Sequence, residues 1–295
     1  KKSFIDSIRF DVENETKLED STEFLYGRIY ITRCWKKHVR KRSMAILKAH
    51  RSTITSLEYS CGHSSFITKS LQIVSENLTM LEIHSFEDDT RHPRDVVIVD
   101  LPNLTKIVTV TAPAIFKYIG KHKINELDVN EYQTATGINK FLETCVDLKK
   151  LTLETFVPTY DPARHSYHIE NLSITLDDFD NDQLVKEFLE HHTESLKKLK
   201  LLFANESAKF AVNKMNLEEL TCGQVAFGSQ SIKLRPNNSI KKLAIYAEAE
   251  DNNDVVASYH SILTACKGVE RLTIYDDGHV GGSAMKIISN SMRNL

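Results

Sequence analysis

The chain has 295 residues, of which 41% are apolar and 26% charged, with ten Gly and six Pro. That balance is typical of a folded protein and argues against long disordered stretches. A net charge of −2 gives no global pull toward nucleic acid or an anionic membrane, and no apolar run reaches the roughly 18 residues that a spanning helix needs.

One apolar skeleton, x-x-apolar-x-x-apolar-x-apolar, recurs along the chain. It starts at Ile5 (with Ile8 and Phe10), Tyr26 (Ile29, Ile31), Ile54 (Leu57, Tyr59) and Leu78 (Leu81, Ile83). Leu104 follows with Ile107 and a poor third position, Thr109. Next come Ile124 (Leu127, Val129), Leu148 (Leu151, Leu153), Ile169 (Leu172, Ile174) and Leu196 (Leu199, Leu201). The last full units start at Leu217 (Leu220, Cys222), Ile240 (Leu243, Ile245) and Val269 (Leu272, Ile274), and Leu295 would open another. Starts lie 20 to 29 residues apart, near the spacing of leucine-rich repeats.

The intervals read as helices. Ile67, Leu71 and Val74 share one face. Leu184, Val185, Phe188 and Leu189 share another, with Asp182 placed as its N-cap. Val255, Val256, Tyr259, Leu263 and Cys266 form a third behind Asp254, and Ala284, Ile287 and Ile288 start a fourth. The polar segments 87–93 and 157–168 read as loops at the rim. The predicted fold is α/β: a leucine-rich repeat solenoid, curved and right-handed, with a parallel sheet on the concave face and helices on the convex face. It forms one domain over 1–295, with about twelve irregular repeats, cut at both ends.

Among residues that could carry chemistry, no phosphate-binding loop, nucleophile elbow or His-Glu-x-x-His motif is found. His165 with His168, and His191 with His192, lack the three or four converging ligands of a metal site. No metal or other cofactor is expected. Five cysteines without a CxxC spacing suggest buried reduced thiols. Cys145 and Cys266 each precede a repeat start by three residues and read as packing residues. The basic run 33–42 offers a nuclear signal or, as the preferred reading, a helix with Trp35, Val39 and Ile46 inward and its charges solvated. Asn14, Asn77, Asn103, Asn171, Asn205 and Asn237 match the glycosylation sequon, and these matches read as coincidence.

The residues between the leucines point away from the core. Lys198, Lys200, Lys242 and Arg271, with Tyr246 and Tyr275 adjacent on neighbouring strands, form a basic and aromatic patch suited to an acidic or phosphorylated partner. An acidic alternative is Glu126 with Asp128.

The chain resembles the leucine-rich repeat region of intracellular F-box proteins. The points of resemblance are Cys145-x-x-Leu148-x-x-Leu151-x-Leu153 and Cys266-x-x-Val269-x-x-Leu272-x-Ile274, together with the opening stretch from Lys1 through Ile31. Phe86, Tyr132, Phe156 and Asp177 stand where many extracellular repeats carry an Asn ladder. The resemblance implies a non-enzymatic, substrate-recruiting subunit of an SCF-type cullin E3 ubiquitin ligase. A protein substrate would lie on the concave face. A Skp-type adaptor and cullin would bind through an F-box absent from this sequence. The implied location is cytoplasmic, nuclear or both, with no nucleic-acid or membrane partner. The alternative is a repeat scaffold or inhibitor-like binder unrelated to ubiquitination.

Overall fold

The computed structural model describes residues 3–10, 24–32, 37–60, 62–87, 96–111, 113–130, 136–155, 157–159, 161, 163–176, 182–202, 205–223, 234–246, 253–275 and 289. It divides into two compact units, Lys1–Leu148 with Ala163–Tyr167, and Lys149–Pro162 with His168–Leu295.

Both units are α/β, built of repeated strand–helix elements around a parallel sheet. In the first, β1 (Ser3–Phe10), β2 (Phe24–Ile31), β3 (Ser56–Tyr59), β5 (Met80–Glu87), β6 (Lys106–Thr111) and β7 (Glu126–Asn130) pair in chain order. A two-residue strand, β4 (Gly62–His63), pairs separately with the end of β5. In the second unit, β8 (Lys150–Glu154), β9 (Asn171–Thr175), β10 (Lys198–Leu202), β11 (Glu219–Gly223), β12 (Lys242–Tyr246) and β13 (Arg271–Tyr275) do the same. The helices are α1 (Lys37–His50), α2 (Ser64–Val74), α3 (Thr136–Leu142), α4 (Asp182–His191), α5 (Asn205–Lys214) and α6 (Asn253–Ala265), plus a 3-10 helix, Pro113–Tyr118.

Each of the twelve apolar skeletons found in the sequence supplies one strand. Registry carries the pattern across the sheet. In the first unit Leu57, Leu81, Ile107 and Leu127 align, as do Tyr59, Ile83, Thr109 and Val129. In the second, Leu151, Leu172, Leu199, Leu220, Leu243 and Leu272 form one column, and Leu153, Ile174, Leu201, Cys222, Ile245 and Ile274 the next. Apart from the half-buried pair on β13, these side chains are buried. Their neighbours on the other face stay partly exposed, because successive side chains alternate across a strand.

The expected helix faces hold where they are described. Ile67, Leu71, Val74, Val185, Phe188, Leu189, Tyr259, Leu263 and Cys266 are buried. Leu184 is the exception at 42% exposed. Trp35, Asp254 and the predicted helix from Ala284 lie outside the described residues or have undescribed side chains, as do Leu295 and residues 88–95. In the basic run, Lys37, His38 and Lys41 of α1 are exposed while Val39 and Leu47 are buried and Ile46 half-buried. The 157–168 segment has no helix or strand among its described residues, yet Val157, His165 and Tyr167 are buried rather than on a rim.

Asp182 caps a different helix from the one expected. It stands as the first residue of α4. Its carboxylate accepts hydrogen bonds from the Glu206 N–H at 2.6 Å and the Ser207 N–H at 2.9 Å at the start of α5. The Ser207 hydroxyl also bonds to Asp182. A carboxylate at a helix N-terminus satisfies orphan donors and complements the dipole, so Asp182 ties one repeat to the next.

Several sequon asparagines are spent in the same way. Asn77 and Asn103 donate to the Arg51 and Glu76 carbonyls at 3.2 and 2.7 Å. Asn237 donates to Val212 and Met215 carbonyls at 2.8 and 2.9 Å and accepts from Ser239. A sugar on Asn237 would replace a buried tie between α5 and the following segment.

Two substitutions test this account. Asp182→Ala should lower stability by roughly 2 kcal/mol, because it strips several charge-assisted hydrogen bonds from a buried helix start. Among the described residues Thr109 holds a buried hydroxyl with no hydrogen-bond partner, between Ile83 and Val129 in the first unit's core. Thr109→Val should raise stability by about 1 kcal/mol. Chemical denaturation of each variant checks both signs.

Candidate functional site

The open face of the second unit is ordered in rows, because the strands pair without offset. One row precedes the strands: Lys149, Glu170, Lys197, Glu218, Lys241 and Glu270. Each of these from Glu170 onward donates its backbone N–H to the carbonyl of the previous one at 2.8 Å. Their side chains alternate in sign. Lys197 reaches Glu170 at 3.0 Å, Lys149 reaches Glu170 at 3.8 Å, and Lys241 reaches Glu270 at 3.6 Å. The Lys197 hydrogen bond holds the Glu170 carboxyl below its ordinary value. In the first unit the equivalent row is uncharged: Thr55, Thr79 and Thr105 hydroxyls donate to the carbonyls of Gly27, Thr55 and Thr79 at 3.0–3.2 Å.

The first exposed row within the strands is Lys150, Asn171, Lys198, Glu219, Lys242 and Arg271. Here Glu219 lies between Lys198 at 3.0 Å and Lys242 at 2.6 Å. These contacts hold its carboxyl below the ordinary glutamate value, chiefly through the Lys242 hydrogen bond. The middle row is Thr152, Ser173, Lys200, Thr221, Ala244 and Thr273, so Lys200 is its one charged member. A shallow open depression of about 170 Å³ spans both rows, lined on its polar side by Lys150, Ser173, Lys198, Lys200, Glu219 and Thr221.

The last row carries the aromatic residues. Tyr246 and Tyr275 pair across β12 and β13 and stack with centroids 4.5 Å apart. The Lys200 ammonium lies 5.6 Å from the centroid of the Tyr246 ring. The structure thus places Lys198, Lys200, Lys242, Tyr246, Arg271 and Tyr275 on one face of one unit, as the strand alternation predicts. Glu126 and Asp128 belong to the other unit, on β7, where Glu126 pairs with Lys106 at 3.2 Å.

Sequence reasoning missed two features. The first is Glu219, which pairs with two of the predicted lysines. The second is a cluster on the open face of the first unit. Arg28 contacts Glu58 at 2.6 Å and Glu82 at 3.4 Å, and His84 contacts the same two carboxylates at 3.2 and 3.1 Å. The ligand atoms of Glu58, Glu82 and His84 lie within 4.8 Å of one another, and Arg28 contacts both carboxylates. Glu82 and His84 are two residues apart, but Arg28 and Glu58 join them from 24 to 56 positions away, which hides the cluster until the register is known.

The predicted histidine pairs do not converge. His165 is buried beside Tyr167 and His192 is buried against Phe188, while His168 and His191 are exposed. Cys145, Cys222 and Cys266 are buried. Burial pushes the Cys145 and Cys266 thiols up to about 12 and raises Cys222 as well. All three are therefore protonated packing groups at neutral pH. Cys34 and Cys61 lie outside the described residues. Among the described residues, no helix is long and apolar enough to cross a membrane.

Compared with known proteins, the chain matches no family model and no curated protein.

Because its folded value is depressed, Glu219 contributes stability above the ordinary carboxylate range and loses it as pH falls through the folded value. Carboxyl-detected NMR titration should place Glu219 below a model glutamate. Lys242→Ala should move it up more than Lys198→Ala. Equal shifts would contradict the assignment of the dominant contact.

Proposed function

We propose that both units are runs of irregular leucine-rich repeats and that the open face of the second is a protein-docking surface. The carrying observation is the partly exposed strand face on which Lys200, Tyr246 and the 48%-exposed Tyr275 stand together. Tyrosine supplies large contact area at low entropic cost, and a nearby cation adds orientation. Binding needs only a shaped surface, whereas a reaction needs converging activated groups.

The resemblance to F-box proteins gives this surface a context. We take the chain as the substrate-recognising part of an F-box subunit of an SCF-type cullin E3 ubiquitin ligase, cytoplasmic or nuclear. Skp-type adaptor and cullin would be held by a segment outside this sequence. The repeat skeleton and the cysteine that closes α3 and α6 before the next strand support that reading.

Affinity purification of the tagged full-length protein, followed by mass spectrometry, should return a Skp-type adaptor and a cullin in near-stoichiometric amounts. A stoichiometric complex with another protein, lacking both, would replace this role with that of a binding scaffold outside ubiquitination.

A further inference from the structure

Gly223 ends β11, paired with Tyr246 of β12; the pairing of β11 with β10 ends one position earlier, at Leu201 and Cys222, before Leu202. A glycine weakens a strand, and inside one it often marks close approach by a ligand or another backbone. Two other described glycines have an internal reason. A Cβ on Gly120 would collide with the Asp100 side chain, and one on Gly268 would collide with the Asn238 backbone. Gly223 has neither this reason nor a left-handed torsion. A Cβ there meets no atom of the described residues within 4 Å. Among the described residues, what the glycine provides is space on the open face.

The walls of that space have definite chemistry. Tyr246 stands on one side, backed by the Tyr275 ring. Lys200 sends its ammonium from β10 toward Tyr246, past β11. Next to it lies the depression lined by Lys198, Lys200, Ser173, Thr221 and the ion-paired Glu219. In the two rows that face it, Lys150, Lys198, Lys200, Lys242 and Arg271 stand against the single carboxylate of Glu219. That carboxylate already has two ammonium partners. The Lys200 ammonium, by contrast, contacts an aromatic ring and no carboxylate among the described residues. An arriving carboxylate would gain Lys200 without breaking an existing ion pair.

We propose that this is a two-point site for an extended acidic peptide. A Glu or Asp side chain of the peptide occupies the depression beside Lys198 and Lys200. An apolar side chain two residues away enters the Gly223 notch against Tyr246 and Leu202. The spacing suits this, since residues i and i+2 of an extended chain lie about 7 Å apart and adjacent strands about 5 Å apart. This inference rests on reading the open face as a docking surface and specifies what docks there.

The test is fluorescence anisotropy on the full chain with a labelled peptide of alternating Glu and Gly carrying one Phe two residues after a central Glu. Three companion peptides replace Phe by Ala, all Glu by Gln, or the central Glu by phosphoserine. The Glu/Phe peptide should bind more tightly than the Ala and Gln versions and weaken with salt. Lys200→Ala should weaken it about fivefold, the scale of one exposed charge pair. Gly223→Leu should erase the preference for Phe over Ala while melting no lower than wild type, and Gly223→Ala should erase part of it. Tyr246→Leu should weaken the Phe peptide alone. Lys149→Ala, outside both rows, should change nothing.

Absence of binding up to about 1 mM, equal binding of the Gln peptide, or indifference to both Lys200→Ala and Gly223→Leu overturns the proposal. Binding of the phosphoserine peptide alone overturns it in favour of a phosphate-specific site. Failure here with adaptor and cullin still co-purifying sinks this site and leaves the ubiquitin-ligase reading standing. Peptide binding without adaptor and cullin does the reverse.

Discussion

Register is the constraint on which the rest of these two units depends. Neighbouring strands pair in parallel with no stagger across six successive strands, so one apolar position in each repeat becomes a continuous column. A slip by one residue would turn Leu199 and Leu201 to the open face and Lys198 and Lys200 into the core. Burying an unpaired lysine costs far more than any single hydrogen bond returns. The alternation of leucine and lysine therefore specifies pairing more strongly than backbone bonding does, because backbone bonds are nearly equivalent in either register.

The same register organises the polar side. Residues far apart in the chain become neighbours about 5 Å apart on adjacent strands. In the row before the strands, alternating Lys and Glu place opposite charges across each step of the second unit. Exposed pairs of this kind contribute little stability each, about 0–1 kcal/mol. The first unit uses threonines at the same position, where hydroxyl and N–H both serve the preceding carbonyl. Two chemistries thus answer one geometric requirement.

Cohesion between repeats also comes from single polar residues that reach backward or forward by one unit. Asp182 caps α5 from the start of α4, and Asn237 closes the end of α5. These ties lie at helix ends rather than among the exposed strand residues. The open face is accordingly free to vary in chemistry. Glu219 and Gly223 on one strand show the consequence: one residue pairs with two lysines, and the other carries no side chain beside a tyrosine.

The repeat skeleton determined the strands, their alternation and the two faces, because a short-range pattern of apolar residues suffices to place side chains above or below a strand. It also placed Tyr246 beside Tyr275 and identified Cys145 and Cys266 as buried. Only the tertiary structure decided which charges cancel. The pairing of Glu219 with Lys198 and Lys242, the approach of Arg28 and Glu58 to Glu82 and His84, and the cap from Asp182 onto α5 all join residues more than twenty positions apart. Their contacts depend on side-chain reach across known neighbours, which no local pattern encodes. Gly223 is the sharpest instance, since the meaning of a missing side chain lies entirely in what surrounds it.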